Sequence, residues 1–375
     1  MRLRAKWVLP VDAPPIENGV VEVTGDTITA VGKQSGPSRD LGDVVLLPGL
    51  INAHCHFDYT HLPVPYRGSF TDWIRDIVAL KATQTPGDFL AGIQAGMELA
   101  LRAGTTTVVN IECFPELIAQ LPATPLRVVW CPELIDLARR VELPAGFKGL
   151  SPHAPYTASA ELYRRCAQSG RFITTHVAES DEEDEMFRQG RGQLYDALQQ
   201  RGRNMSDCGR AGAVDLLHSY GVLSRNCLAA HANCLTSDDV QLIAQTGTSV
   251  VHCPKTHRYF QRSPAPLTAL LDAGVNVCLG TDSLASNDTL DIFAEMQEMA
   301  RVFPEWPPAR IIAMATTNAA KALSQSTRLG KIATGAVADL IAVPANGYAD
   351  PYAAVVFAEK TIAFMMLNGK VVCPT

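Results

Sequence analysis

The 375-residue sequence predicts an α/β protein: a (β/α)8 barrel of the TIM type over residues 49–328, with a small β-sandwich built jointly from residues 1–48 and 329–375. Three observations predict it. Eight apolar, strand-like runs alternate with longer amphipathic stretches over about 270 residues, the length and rhythm of such a barrel. Each run begins apolar and ends in a side chain capable of chemistry, as strands do when they feed one catalytic mouth. The two chain ends share a different, turn-rich β style, and each is too short to bury a core alone.

In chain order, residues 1–48 alternate short β-like runs with turns, as in GVVEVTGDTITAVG, and carry no helical period. The barrel runs follow: VVLLPGLINAHCHF, TTTVVNIEC, LRVVWCPELI, FKGLSPHAP, FITTHVAES, CLAAHANC, TSVVHCPKT and VNVCLGTDS. LGKIATGAVADLIAV and KTIAFMMLNGKVV then return to the opening style. The ends are therefore expected to pair.

Composition narrows the function classes. A net charge of -6 and a pI near 5.9, with basic residues scattered, leave no stripe for a nucleic-acid backbone. No apolar run approaches the roughly 20 residues that span a bilayer, and the opening MRLRAKWVLPVDAPP lacks a signal-peptide core. A cytoplasmic location without membrane partners is expected. The ten cysteines form no CxxC pair, and Cys113, Cys131 and Cys278 sit in apolar, strand-like stretches, so they read as reduced and structural.

The chemistry begins at NAHCHFD. On a strand, side chains two apart share a face, so His54 and His56 project together. A lone strand histidine is ordinarily a core residue. Here the fifth run adds His176 and the eighth adds Asp282, and three imidazoles with one carboxylate suit a single divalent cation, zinc or ferrous iron ahead of magnesium or calcium. Asn110 with Glu112, Glu133, His153, His231 and His252 end the other runs.

LPGLINAHCHF, SPHAPYT, HVAES, AAHAN and LGTDSLASN, in this order and spacing, resemble the amidohydrolase superfamily. More narrowly they resemble its aminohydrolase branch, which includes deaminases of S-adenosylhomocysteine, guanine and aminofutalosine. The resemblance implies that His54, His56, His176 and Asp282 ligate one metal ion, zinc first and iron second. It implies that His231 contacts the attacking water, with Asp282 sharing its orientation and deprotonation, and that Glu179 moves a proton to a ring nitrogen. The plain alternative for Glu179 is a surface acid in ESDEEDE, a reading that suits Glu182, Glu183 and Glu185 better. His153 and Ser286 would contact substrate, although His153 beside Pro152 and Pro155 also suits a fixed turn, and Asn287 suits a turn as well. Trp73 in SFTDWIRDIV walls the pocket or packs its helix. His252 is expected behind the ligands, Lys148 as structural in a mononuclear site, and His61 and His218 without a role.

Two stretches depart from the family pattern. Where many members read HNPxSN, this chain reads HCPKTH followed by Arg258, Tyr259 and Phe260. Cations beside aromatics suit a substrate with an aromatic group and a negative charge, which assigns Arg258 to a substrate carboxylate. The helix after the first strand offers only Val78-Ala79-Leu80-Lys81-Ala82 where nucleoside deaminases place an acid for ribose hydroxyls. The implied function is metal-dependent, ammonia-releasing hydrolysis of an adenine-type nucleoside: aminofutalosine of the menaquinone route first, then S-adenosylhomocysteine, methylthioadenosine or adenosine. The alternatives are a sister aminohydrolase or amidohydrolase of guanine, cytosine, a triazine or a cyclic amide, and a barrel that has lost catalysis. The partner is a small heterocycle, and a homodimer is the assembly common in this family.

Overall fold

The computed structural model describes residues 1–33, 35–358 and 361–372. Residues 373–375, the tip of the expected C-terminal segment, lie outside the described residues, as do 34, 359 and 360.

Eight parallel strands form the barrel: β1 (Leu50–Cys55), β2 (Thr105–Glu112), β3 (Arg127–Leu134), β4 (Gly149–Pro152), β5 (Phe172–Val177), β6 (Cys227–His231), β7 (Ser249–His252) and β8 (Val277–Leu279). Each pairs with its neighbour in sequence. Closure comes just past β8, where the amides of Thr281 and Asp282 donate to the His54 carbonyl at 3.1 and 3.0 Å. Most of these strands are buried at every position. That is why the runs read as continuous apolar stretches without a two-residue alternation.

The first run is two strands. Val44–Pro48 belongs to the sheet of the chain ends, and β1 starts after Gly49. A Cβ on Gly49 would lie 2.2 Å from Thr106 Cγ2, so only glycine lets the chain cross so close to β2.

The chain ends build one mixed sheet in the order Lys370–Val372, Phe364–Leu367, Leu340–Pro344, Val44–Pro48, Arg2–Val8, Ile16–Thr24, Thr27–Gly32, with Arg39–Asp40 alongside Arg2–Val8. This single sheet doubles back. The Ile28 amide donates to Ala336 at 2.9 Å and Gly335 donates to the Ile28 carbonyl at 2.8 Å. Leu3, Val21, Ile28, Leu46, Leu340 and Phe364 pack as its own core. Val45, Leu47, Ile341 and Val343 instead join the main apolar cluster with Phe293 and Ile311, fastening the sheet to the barrel.

Two helices matter for the site. Phe70–Lys81 starts at Ser69, whose hydroxyl accepts from the Asp72 amide at 3.1 Å, a cap that contributes about 1 kcal/mol. Asp181–Gln189 starts at Ser180, which accepts from Glu183 in the same way, and ends at Gly190 with φ 66°. The barrel thus presents the C-terminal ends of its strands to one mouth, with Phe70–Lys81 at its edge.

Candidate metal centre and catalytic pocket

Strands β1, β5 and β6 and the turn after β8 deliver His54, His56, His176, His231 and Asp282 to one place, all nearly or fully buried. His56 Nε2 and His176 Nε2 are 3.3 Å apart, and Asp282 Oδ1 is 3.7 Å from both His54 Nε2 and His56 Nε2. Ligand atoms of His54, His176 and His231, and of His54, His56 and Asp282, each lie within 4.8 Å of one another. His231 and Asp282 take left-handed φ of 70° and 58°. Each such non-glycine conformer costs about 1–3 kcal/mol, and such strain gathers at functional sites. Gly280 makes the close approach possible, since a Cβ there would lie 2.7 Å from His54 Cβ.

These side chains fit a divalent ion. Both ring nitrogens of His54, Nδ1 of His56 and Nε2 of His231 are buried without a hydrogen-bond partner, an arrangement that is costly unless something else binds them. His176 Nδ1 donates to the His153 carbonyl at 2.8 Å, which fixes the tautomer and leaves Nε2 as a lone pair facing His56. Burial, reinforced by neighbouring imidazoles, holds His56 and His231 well below the usual histidine range, and neutral imidazole is the form that ligates. The His/Asp cluster could therefore hold a metal.

The ligands are braced from behind. Ser286 Oγ donates to Asp282 Oδ2 at 2.9 Å, and Asn52 Nδ2 donates to Thr281 Oγ1 at 2.7 Å. Ser286 is fully buried and does not line the cavity, whereas Ser283 does. The expectation that Ser286 contacts substrate is corrected: it secures Asp282. Asn287 bonds the Thr281 carbonyl and Glu295, a turn role. His252 is buried beside His257 and, among the described residues, belongs to no metal-capable group.

Glu179 lines the cavity, with Oε1 3.8 Å from His231 Nε2. Of its neighbours in the acidic run, Asp181 is exposed and Glu185 pairs with Arg191 at the surface, whereas Glu183 and Glu182 turn inward. Glu183 is fully buried and accepts from the amides of Ala178 and Glu179 at 3.2 and 2.8 Å. Glu182 accepts from the Phe70 and Thr71 amides at 2.7 and 3.0 Å, anchoring the positive end of the Phe70–Lys81 helix.

Arg258 is also corrected. It lies in the short helix Pro254–Tyr259, turned toward Glu298 at 2.6 Å, and is half exposed and outside the cavity lining. In the same loop Arg262, not Arg258, contacts a cavity-lining residue: its Nη2 is 3.0 Å from Glu179 Oε1. Sequence reasoning passed it over. The available signal was a second arginine four residues on, beyond the end of the helix.

The cavity, of about 260 Å³, has a second polar wall that adjoins the ligands, with the Tyr59 ring stacked on His56 at 5.3 Å. Lys81 Nζ donates to Tyr59 Oη at 2.7 Å and sits 3.2 Å from Cys113 Sγ, which in turn donates to Glu133 Oε2 at 2.8 Å. Glu133 Oε1 faces His153 Nε2 at 3.9 Å, and His153 Nδ1 bonds Thr157 at 2.6 Å. Burial opposes charge on Glu133, but His153 and Lys81 outweigh it and draw the carboxyl down to about 2. Burial, with Asp58 beside it, pushes Glu112 up to about 9. Cys113 is thus a member of a polar chain, which departs from the apolar setting expected of it, while Cys131 and Cys278 are buried as core thiols. Trp73 does both things asked of it: it lines the cavity and its Nε1 donates to the Ala285 carbonyl at 3.3 Å. Lys148 is exposed just before β4, at the end of that strand away from His153. His61 packs on Phe89, and His218 is exposed on the helix Ala213–Ser219.

A parallel barrel with buried imidazoles and a carboxylate gathered at its strand ends defines a class of metal-assisted hydrolases. Residues 45–372 match the Amidohydrolase family, and the chain belongs to that family. It is accordingly a hydrolase acting on carbon–nitrogen bonds. It is 29% identical over 418 aligned positions to a 5-methylthioadenosine/S-adenosylhomocysteine deaminase of Moorella thermoacetica, covering 97% of this chain and 92% of the relative. The aminofutalosine deaminase of Helicobacter pylori in complex with methylthio-coformycin superposes with a TM-score of 0.87 at 21% identity, covering 99% of this chain and all of that one (100%). A zinc-bound adenosine deaminase from Xanthomonas campestris superposes at 0.82 and 24%, covering 99% of this chain and 92% of that one. Among the described residues no helix is long and apolar enough to cross a membrane.

Proposed function

We propose that this protein is a hydrolytic deaminase of an adenine-type nucleoside, replacing the ring amine with oxygen and releasing ammonia. The observation that carries the reading is Glu179, a carboxylate lining the cavity beside His231 and three residues past His176. His54, His56, His176 and Asp282 would hold one divalent ion, zinc first by the borderline character of the donor set. Such an ion, when bound, lowers the pKa of water from 15.7 toward about 7 and makes attack available at neutral pH. Asp282 and His231 orient the water, take its proton and pass it to the departing amine, which leaves as ammonia. Glu179 delivers a proton to the ring nitrogen next to the amine-bearing carbon, discharging the negative charge that attack develops there. His153 and Trp73 shape the base-binding side of the cavity. The 29% identity to the Moorella deaminase over 97% of this chain supports an adenine nucleoside over a bare heterocycle, with aminofutalosine, S-adenosylhomocysteine, methylthioadenosine and adenosine as the compounds to try.

The test is ammonia release by zinc-loaded protein on those four nucleosides, with adenine, guanine and cytosine beside them. At least one adenine nucleoside should be turned over with kcat/KM at or above about 10⁴ M⁻¹s⁻¹, the lower edge of ordinary enzyme efficiency. Turnover confined to guanine, cytosine or another ring would move the protein to a sister branch.

A further inference from the structure

We infer that Arg262 is a positioning residue for proton transfer: it grips one oxygen of Glu179 and thereby leaves the other for the substrate. The inference rests on the deaminase reading of Glu179. The backbone of Glu179 is fixed from two sides, its amide donating to Glu183 Oε2 at 2.8 Å and its carbonyl accepting from Asn233 Nδ2 at 3.0 Å. Those bonds place Cα only. A glutamate has three further torsions, and in an open cavity its carboxylate would sample several places.

Among the described residues the one hydrogen bond to that carboxylate is from Arg262 Nη2 to Oε1, at 3.0 Å. The two side chains are 9% and 7% exposed, so solvent screens the pair little. Oε1 is also the oxygen nearest His231, at 3.8 Å. Among the described residues, Oε2 has no protein donor.

Arg262 is itself held by ring faces. Its guanidinium carbon lies 4.4 Å from the centroid of Phe260 and 5.2 Å from that of Phe70, and Phe70 lines the cavity. Nη1, which is buried without a hydrogen-bond partner, belongs to this stacked group. A planar guanidinium can stack on rings and point one nitrogen at a carboxylate together, which an ammonium cannot. The chain reaches this pose through Gln261, whose left-handed φ of 53° redirects the backbone after the Pro254–Tyr259 helix. The loop after β7 thus acts on the acid that serves the reaction.

The experiment compares wild type with Arg262→Gln and Arg262→Lys, each zinc-loaded, by steady-state kinetics on the best nucleoside and by crystal structure. Arg262→Gln should lower kcat about 10–100-fold, the usual effect of losing an outer partner, with KM little changed; melting temperature falls too, because a buried carboxylate loses its partner. Arg262→Lys should recover part of kcat and, should the glutamine variant fail to fold, carries the test by its own kcat loss. In the crystal structure of Arg262→Gln the Glu179 carboxylate should have left its place beside His231. A carboxylate that stays in place, or a kcat equal to wild type, overturns the inference. Inactivity of wild type on every nucleoside overturns the deaminase reading instead, and the position of the Glu179 carboxylate still decides the role of Arg262.

Discussion

The two walls of the cavity are built by opposite means. On one, His54, His56, His176, His231 and Asp282 come from strand ends and bring their ligand atoms together, with ring nitrogens of His54, His56 and His231 left without a hydrogen-bond partner among the described residues. On the other, Lys81, Tyr59, Cys113 and Glu133 are linked in an unbroken chain of contacts between 2.7 and 3.2 Å. The first wall is incomplete without a bound cation, while the second carries its cation in the sequence as Lys81. On the proposed function, chemistry belongs to the first wall and the second shapes and stabilises the pocket.

That contrast breaks most readily at a ligand. His176→Ala should abolish metal binding and turnover together while the barrel stays folded, read by metal analysis, ammonia release and circular dichroism. Turnover surviving without metal would erase the distinction between the walls. Lys81→Met should do the reverse. It strips the cation from a buried acid cluster, at a cost of about 3–5 kcal/mol in stability, yet metal content should hold at the wild-type level. Chemical denaturation reads the first and metal analysis the second. Ser286→Ala loosens Asp282 without deleting a ligand, and metal affinity or turnover should fall about 10–100-fold. An unchanged zinc titration and unchanged kcat would show that Asp282 needs no support.

A further effect concerns pH. Glu112 in the folded protein titrates at about 9, above its ordinary value of 4.5. Between those pH values the unfolded chain has lost the proton that the folded one keeps, so its contribution to stability falls as pH rises through that window. Glu112→Gln should flatten that decline, seen in melting temperatures of metal-free protein at pH 5 and pH 8. An equal slope in both proteins would remove Glu112 from the account.

The first wall was legible because its signals are local or periodic. The HxH spacing fixes two side chains on one strand face, and strands buried on both sides leave apolar runs that mark where each terminal residue stands. The second wall was not. Tyr59, Lys81, Cys113 and Glu133 lie roughly 20 to 30 residues apart, one per element, and nothing in their spacing announces contact; three-dimensional packing alone brings them together. The same holds for Glu183, an acid in an acidic run that ends up buried because two backbone amides at the turn after β5 need an acceptor. Arg258 and Arg262 differ by one turn of chain, and the helix between Pro254 and Tyr259 decides which of them faces Glu179. Aromatic and basic composition pointed to the correct loop and the wrong residue.

The most direct test is Glu179→Gln, assayed for bound metal and for deamination of the nucleoside that wild type prefers. The account predicts one ion per chain, as in wild type, with kcat lowered about 10²–10⁴-fold, the range that general acid–base catalysis contributes. A variant that keeps its metal and a kcat near wild type would contradict it, because the proton would then reach the ring by another route.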